Sequence, residues 1–421
     1  MNVLRLTTLA GVITCLSAVA ADLPQYDDNQ HLGVASCASG VCHGSVRERT
    51  GTAILQNEYV VWSRQDRHRV AYQTLLTDES RRIARNLGLE NAHQADICLD
   101  CHADNAANRS ARFQLDDGVG CEACHGGAEQ YVSTHVDDAN SRADNIAAGL
   151  YPLDNPVKRA ELCLSCHLGT KDKMATHKIM GAGHPRLAFE LDTFGVLQPA
   201  HYVVDEDYRQ RKWSGDSMQV WLIGQTRSAM QTLSLIEQRL DTGKRFPELA
   251  LFDCHACHHP MSDQRWQAGS GTGQAPGAVR LNDANFVMLL TMVQVLMPGE
   301  AQALHQQMKA LHNAVASGGS VMSAVAALRQ SVTRIETEAP ARLNIRSAND
   351  LLNGIVAAGR EGRYRDYVAA EQAVMAVDML LSRTKRRDDH QSWLDEVYDA
   401  VSDEDAFEPF RLRAAFGRFK S

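Results

Sequence analysis

The residues that could do chemistry in this chain are its cysteines and the histidines that follow them. Cys98-Leu-Asp-Cys101-His102 and Cys121-Glu-Ala-Cys124-His125 stand close together, and the pattern recurs at Cys163-Leu-Ser-Cys166-His167 and Cys254-His-Ala-Cys257-His258. One more copy, the first in the chain, has a longer spacer, Cys37-Ala-Ser-Gly-Val-Cys42-His43. C-x-x-C-H is the signature of c-type haem attachment: two thiols form thioethers with the vinyl groups of one porphyrin, and the His is held against the iron as an axial ligand. In the long-spacer copy the two extra residues must bulge outward, and Ser39-Gly40 supplies the flexible pair. The competing reading is zinc, because Cys98, Cys101, Cys121 and Cys124 have zinc-ribbon spacing. Zinc does not require a His after every second Cys. With 17 His in 421 residues, five out of five by chance is roughly a one-in-ten-million event. The sequence therefore predicts five haem c groups (iron), with His43, His102, His125, His167 and His258 as proximal ligands.

Five irons also call for distal ligands. Val61, Arg64/Gln65, His68, Tyr72 and Leu75 fall on one face at helical spacing, which would point His68 with the apolar side. After the third motif, Gly126-Gly127 would let the backbone pass close to a porphyrin edge, and about two helical turns then carry His135 toward another iron. Gly181-Ala-Gly-His184-Pro185 suits a tight loop against a flat cofactor, since the residue before proline is biased to extended conformations. His177 and His93 complete the distal candidates. His201, after Gln198-Pro-Ala, is a weaker one, and His31 is left unassigned. His255 is excluded from its own iron by its place inside the fifth motif, and His259 reads as a neighbour of a proximal ligand. Met174 and Met180 read as packing. Arg64, Arg109, Arg112, Arg186 and Arg209 are candidates to pair with porphyrin propionates. No catalytic residue is assigned.

Ten of the eleven Cys belong to these motifs, and the eleventh, Cys15, lies in the first residues. Residues 1–21 read as a secretory signal peptide, with Arg5, an apolar run and an Ala18-Val19-Ala20-Ala21 end that places cleavage near Ala20/Ala21. A lipoprotein acylated at Cys15 is the alternative, for which Thr14 is a poor preceding residue. Export to the periplasm agrees with haem attachment. Arg5 is the leader's one charged residue, so its removal turns the net charge of −8 for the whole sequence into −9. An acidic chain is a poor partner for nucleic acid. No later segment is long enough to span a bilayer: the apolar run 286–297 suits a buried helix instead.

These sites need a scaffold, and the order of the chain suggests one. The expected fold class is mainly α: a loop-rich multihaem cytochrome c domain over 22–267, a Gly-rich linker over 268–280, and a C-terminal helical bundle over 281–421. In the last part Val321, Val325, Leu328, Val332 and Ile335 step by helical intervals, as do Tyr367, Ala370, Val374, Val377 and Leu381. Pro340, Gly359 and Gly362 read as punctuation between helices, and His305, His312 and His390 as surface residues.

Several stretches together resemble a known family. Cys37-Ala-Ser-Gly-Val-Cys-His-Gly-Ser, the Trp62 to His68 segment, Asp117-Gly-Val-Gly-Cys-Glu-Ala-Cys-His-Gly-Gly and Gly181-Ala-Gly-His-Pro are similar to the cytochrome c-554-like multihaem proteins. These are relatives of the octahaem hydroxylamine oxidoreductases and pentahaem nitrite reductases. The resemblance covers roughly residues 33–262. It implies a periplasmic electron carrier with haems in closely stacked pairs, and it implies distal roles for His68, His135 and His184. The founding cytochrome carries four haems where this chain has five motifs, and the C-terminal helical part lies outside the resemblance. The nitrite reductases use a C-x-x-C-K site, and none occurs here.

Two functions follow as expectations. The first is an electron carrier exchanging electrons with other cytochromes or with a membrane quinol-oxidising cytochrome. The second is a redox enzyme that reduces or oxidises a small nitrogen or sulfur oxide at one five-coordinate haem. They differ in whether one proximal His lacks a distal partner.

Overall fold

The computed structural model describes residues 23–47, 49, 54–240, 248–258, 279–317 and 319–420. The expected signal peptide with Cys15, the stretch 268–278 of the linker, and His259 lie outside the described residues. The fold is mainly α, as the sequence predicts, and among the described residues it contains no strand, only two isolated bridges.

Short helices come first: α1 Glu58–Gln65, α2 Ala71–Thr74, α3 Asp78–Leu87, α4 Asp96–His102, α5 Cys121–His125 and α6 Arg142–Ala147. They are followed by α7 Pro156–His167, α8 His177–Gly181, α9 Leu191–Leu197 and α10 Glu206–Arg211. Long helices then take over: α11 Ser217–Leu240, α12 Ala284–Leu296, α13 Pro298–Ser317, α14 Val321–Glu338, α15 Ile345–Arg360 and α16 Tyr367–Arg383, closed by α17 Gln391–Asp399 and α18 Pro409–Gly417.

The long helices share one apolar core. The step-of-four-and-three residues of α14 (Val325, Leu328, Val332, Ile335) and those of α16 (Ala370, Val374, Val377, Leu381) are buried in it. Local signals start these helices: Ser320 caps α14, Asn344 and Ser347 form a reciprocal capping box on α15, and the Asp366 carboxylate accepts the Ala369 N–H at 2.8 Å on α16. The apolar run at 286–297 becomes α12, buried nearly all round.

Four details differ from expectation. The core does not begin after the Gly-rich stretch: α11, which precedes it, contributes Met218, Trp221, Leu222, Leu233 and Ile236 and packs on α12, α14 and α16. Gly359 is not punctuation but lies within α15, where a Cβ would come 2.4 Å from the Phe416 ring. His312 is buried rather than on the surface. Its Nε2 lies 2.8 Å from Asp283, and Arg280 pairs with the same carboxylate. A charged pair on a neighbouring helix start makes that burial tolerable, and helical periodicity alone does not carry it. Finally, the helix expected to run from Val61 to Leu75 breaks at Asp66, whose side chain accepts the His68 N–H at 2.9 Å and starts a new turn.

The earlier half has little apolar core of its own. Leu75, Ala84, Ala92, Leu99 and Ala103 form one small cluster, and Ala160, Leu164 and Leu191 form another that leans on Ile223 of α11.

Candidate metal centres

Helices place the motif residues. α4, α5 and α7 each end on the His of a C-x-x-C-H motif, so the two Cys, three apart, share a face and the His follows at the last turn. The motif at Cys254 uses a single 3₁₀ turn instead, closed by the His258 N–H on the Cys254 carbonyl at 2.7 Å. The long-spacer motif keeps this closure: the His43 N–H reaches the Cys37 carbonyl at 3.2 Å while the extra residues bulge. The glycine that makes this possible is Gly44 rather than Gly40. A Cβ at Gly44 would meet the Ala38 carbonyl oxygen at 2.0 Å, whereas one at Gly40 would meet nothing closer than 3.9 Å.

Each motif His faces the ring of one other His. The pairs are His43 with His135 at 6.2 Å between ring centres, His102 with His184 at 6.3 Å, and His125 with His201 at 6.2 Å. His167 faces His68 at 6.1 Å, and His258 faces His177 at 6.1 Å. Two imidazoles bound on opposite sides of one metal, with bonds of about 2 Å each plus half of each ring, stand about 6 Å apart. The residues present therefore fit five haem irons. Only the interplanar angles vary, from 9° at the first pair to 88° at His68 and His167.

The ring nitrogens are prepared for this role. Nδ1 of His43 lies 3.1 Å from Glu58, and that of His68 lies 2.8 Å from Asp66. Nδ1 of His102, His135 and His184 meets the carbonyls of Ala71, Tyr131 and Pro185 at 3.0, 2.9 and 2.7 Å. A ring that donates through Nδ1 leaves the Nε2 lone pair for a metal. Burial, with His201 nearby, pushes His125 down to about 4, and burial also lowers His102 and His167. Neutral imidazole is the ligating form. The Glu58 and Asp66 carboxylates act the other way and raise His43 and His68 by hydrogen bonding. Burial alone would raise Asp66, but the hydrogen bonds from the side chain and backbone of His68 outweigh it and hold Asp66 down to about 2.

Four of the five motifs lie in pairs: Cys37 neighbours Cys121, and Cys101 neighbours Cys166. Glu122, inside the third motif, straps the first to it: its carboxylate accepts the N–H groups of Leu32, Gly33 and Ala128 at 2.7, 2.6 and 2.8 Å.

Residues 36–126 match the family model of cytochrome c554 and c-prime. The match supports a cytochrome c-554-like family and a c-type cytochrome, and with it haem c, iron and electron transport. It spans the first three motifs, which is less than half of the chain. No curated protein and no solved structure matches.

Of the distal candidates, His68, His135, His177 and His184 each face a motif His. His93 does not: its ring meets Tyr72 at 6.3 Å, and the weaker candidate His201 faces His125 instead. Position just ahead of a motif puts His93 beside α4 on a 3₁₀ turn, too local to cross to another iron. His31 is fully buried and held by Asp104 at 2.8 Å and the Pro24 carbonyl at 3.2 Å. His255 points into the bundle, against Tyr367, Phe407 and the Glu404 carbonyl. Arg186 is committed elsewhere than to a propionate: it pairs with Glu371 at 2.7 Å and Glu404 at 2.9 Å and lies over Tyr367. The glycine pair after His125 serves close backbone approach, but to Gly149 and Asn29, whose oxygens a Cβ would meet at 2.3 and 2.7 Å. Glu58 and Asp66 were not among the sequence candidates. Asp66, two residues before His68, carries the signature of a side-chain cap and could have been found.

Proposed function

We propose that this chain is an exported electron carrier with five haems, each held by two histidines: His43 and His135, His102 and His184, His125 and His201, His167 and His68, His258 and His177. The observation that carries this reading is the common separation of the five ring pairs, 6.1–6.3 Å. Haem c supplies one-electron exchange between ferric and ferrous iron.

The chain's own residues do the rest. Cys37 and Cys42, and the four C-x-x-C pairs, fasten each porphyrin covalently, so none dissociates during turnover. The Nδ1 hydrogen bonds of His43, His68, His102, His135 and His184 fix ring orientation, so little has to rearrange when the oxidation state changes. The contacts of Cys37 with Cys121 and of Cys101 with Cys166 support haems in adjacent pairs. His177 and His184 share one short segment, α8 and the loop after it, which ties the fifth site to the second.

An enzyme acting on a nitrogen or sulfur oxide would need an iron with an open face, and five facing pairs weigh against it. Export rests on the leader reading. No helix among the described residues is long and apolar enough to cross a membrane. The partners in this reading are other cytochromes or a membrane quinol-oxidising cytochrome, and the helical part beyond the linker is the scaffold that holds the fifth site.

EPR and optical spectra of the oxidised holoprotein, with and without nitric oxide, test the proposal. Five low-spin haems inert to the ligand are expected. One high-spin haem that binds nitric oxide would reverse the conclusion in favour of an enzyme.

A further inference from the structure

Lys173 is a buried lysine that forms no salt bridge among the described residues. It is 6% exposed. Its Nζ donates to the Gln25 amide oxygen, to the Asp100 carbonyl at 3.0 Å and to the Cys166 sulfur at 3.3 Å. Among the described residues no carboxylate lies within ion-pair distance. The ionisable groups that act on it most strongly are Cys166, Cys101 and Tyr26, and the Asp100 carboxylate stands one hydrogen bond away across the Gln25 amide. Once the two cysteines are thioethers, neither carries charge.

The position is built rather than incidental. Asp100 lies between Cys98 and Cys101 of the second motif, and Cys166 belongs to the fourth. The amide of Gln25 holds the assembly, accepting from Lys173 and donating to the Asp100 carboxylate at 2.9 Å. A tight turn fixes the lysine backbone: Thr170 N–H donates to the Lys173 carbonyl at 2.6 Å, and Gly169 takes φ +107°, where a Cβ would come 2.9 Å from the same oxygen. Taking an ammonium out of water without a counter-charge is costly. Here the cost is borne where two attachment motifs touch.

We infer that Lys173 raises the reduction potentials of the second and fourth haems, acting as a positioning charge between them. This rests on the five-haem reading. Each reduction adds one electron to an iron, and a fixed positive charge in a low-dielectric site favours the state that has gained it. The two haems would then be preferred resting places for electrons within the chain.

The test is an EPR-monitored redox titration of the holoprotein. The second and fourth haems are recognised by the signals lost in His184→Ala and His68→Ala. In Lys173→Gln and Lys173→Met those two couples should shift downward while the first stays in place, and Lys173→Arg should stay near wild type. Gln can keep the hydrogen bonds, so it serves if the Met variant does not fold. Unchanged or raised potentials in the neutral variants, or an equal fall in Lys173→Arg, would overturn the inference. Haem content and spin state of the wild type are read first. A count below five or a high-spin iron refutes the five-haem reading itself, independently of Lys173.

Discussion

The imidazole of His125 faces that of His201 at 6.2 Å, with the planes at 75°. α5 fixes the first ring and an exposed loop after α9 presents the second, so a rigid ligand meets an adjustable one. If this pair holds an iron, His201→Ala should leave one high-spin haem in an otherwise low-spin protein. His93→Ala should leave all five low-spin. Optical and EPR spectra of the two variants decide the matter, and the opposite pattern would restore His93.

Glu58 accepts from Nδ1 of His43, which makes that ligand more electron-donating and favours ferric iron. A hydrogen bond to a charged group is worth about 1.5–3 kcal/mol, and the part that differs between oxidation states corresponds to a rise on the order of tens of millivolts when the carboxylate is removed. Glu58→Gln should therefore raise the potential of the first haem alone. Spectropotentiometry checks it; a fall, or a shift shared by all five, would count against the assignment.

His31 predicts a pH dependence of stability. Burial alone would lower its pKa, but the hydrogen bond and charge of Asp104, with Glu122 and Asp27, outweigh burial and raise it. The group binds a proton more tightly folded than unfolded. Its stabilisation is therefore complete below the ordinary value of about 6.5 and is lost as pH rises through the folded value. Thermal melts should show stability falling on the alkaline side, and His31→Gln should flatten that slope. Removing one member of such a buried pair costs about 3–5 kcal/mol, so the variant should also melt lower throughout.

Arg186 joins the earlier half to the bundle through Glu371, Glu404 and the Tyr367 ring. Arg186→Ala leaves two half-buried carboxylates facing each other and should destabilise by about 3 kcal/mol. Proteolysis under native conditions should then cut more readily between the two parts. Wild-type resistance in the variant would show that the joint is carried by other contacts.

In α15, Gly359→Ala should cost about 1–3 kcal/mol, because its Cβ would enter the Phe416 ring. A neutral or stabilising result in denaturant melts would mean that α18 can move away.

The sequence by itself determined the covalent chemistry. In the proposed reading five Cys/His motifs specify where porphyrins attach and which His follows each, because thioether formation and axial ligation act within one turn of chain. Helical periodicity likewise determined α14 and α16, whose apolar stripes are local patterns, and an unbroken apolar run determined α12. What only the tertiary structure decided is which distant groups meet. His201 rather than His93 faces His125, because the choice depends on how α9 and the loop beyond it fold back, and no local spacing encodes that. Glu58 and Lys173 became significant only as neighbours of a ring and a sulfur, since a hydrogen bond or an unbalanced charge is a property of place. The core showed the same division: only packing against α12, α14 and α16 assigns α11 to the bundle across the Gly-rich stretch.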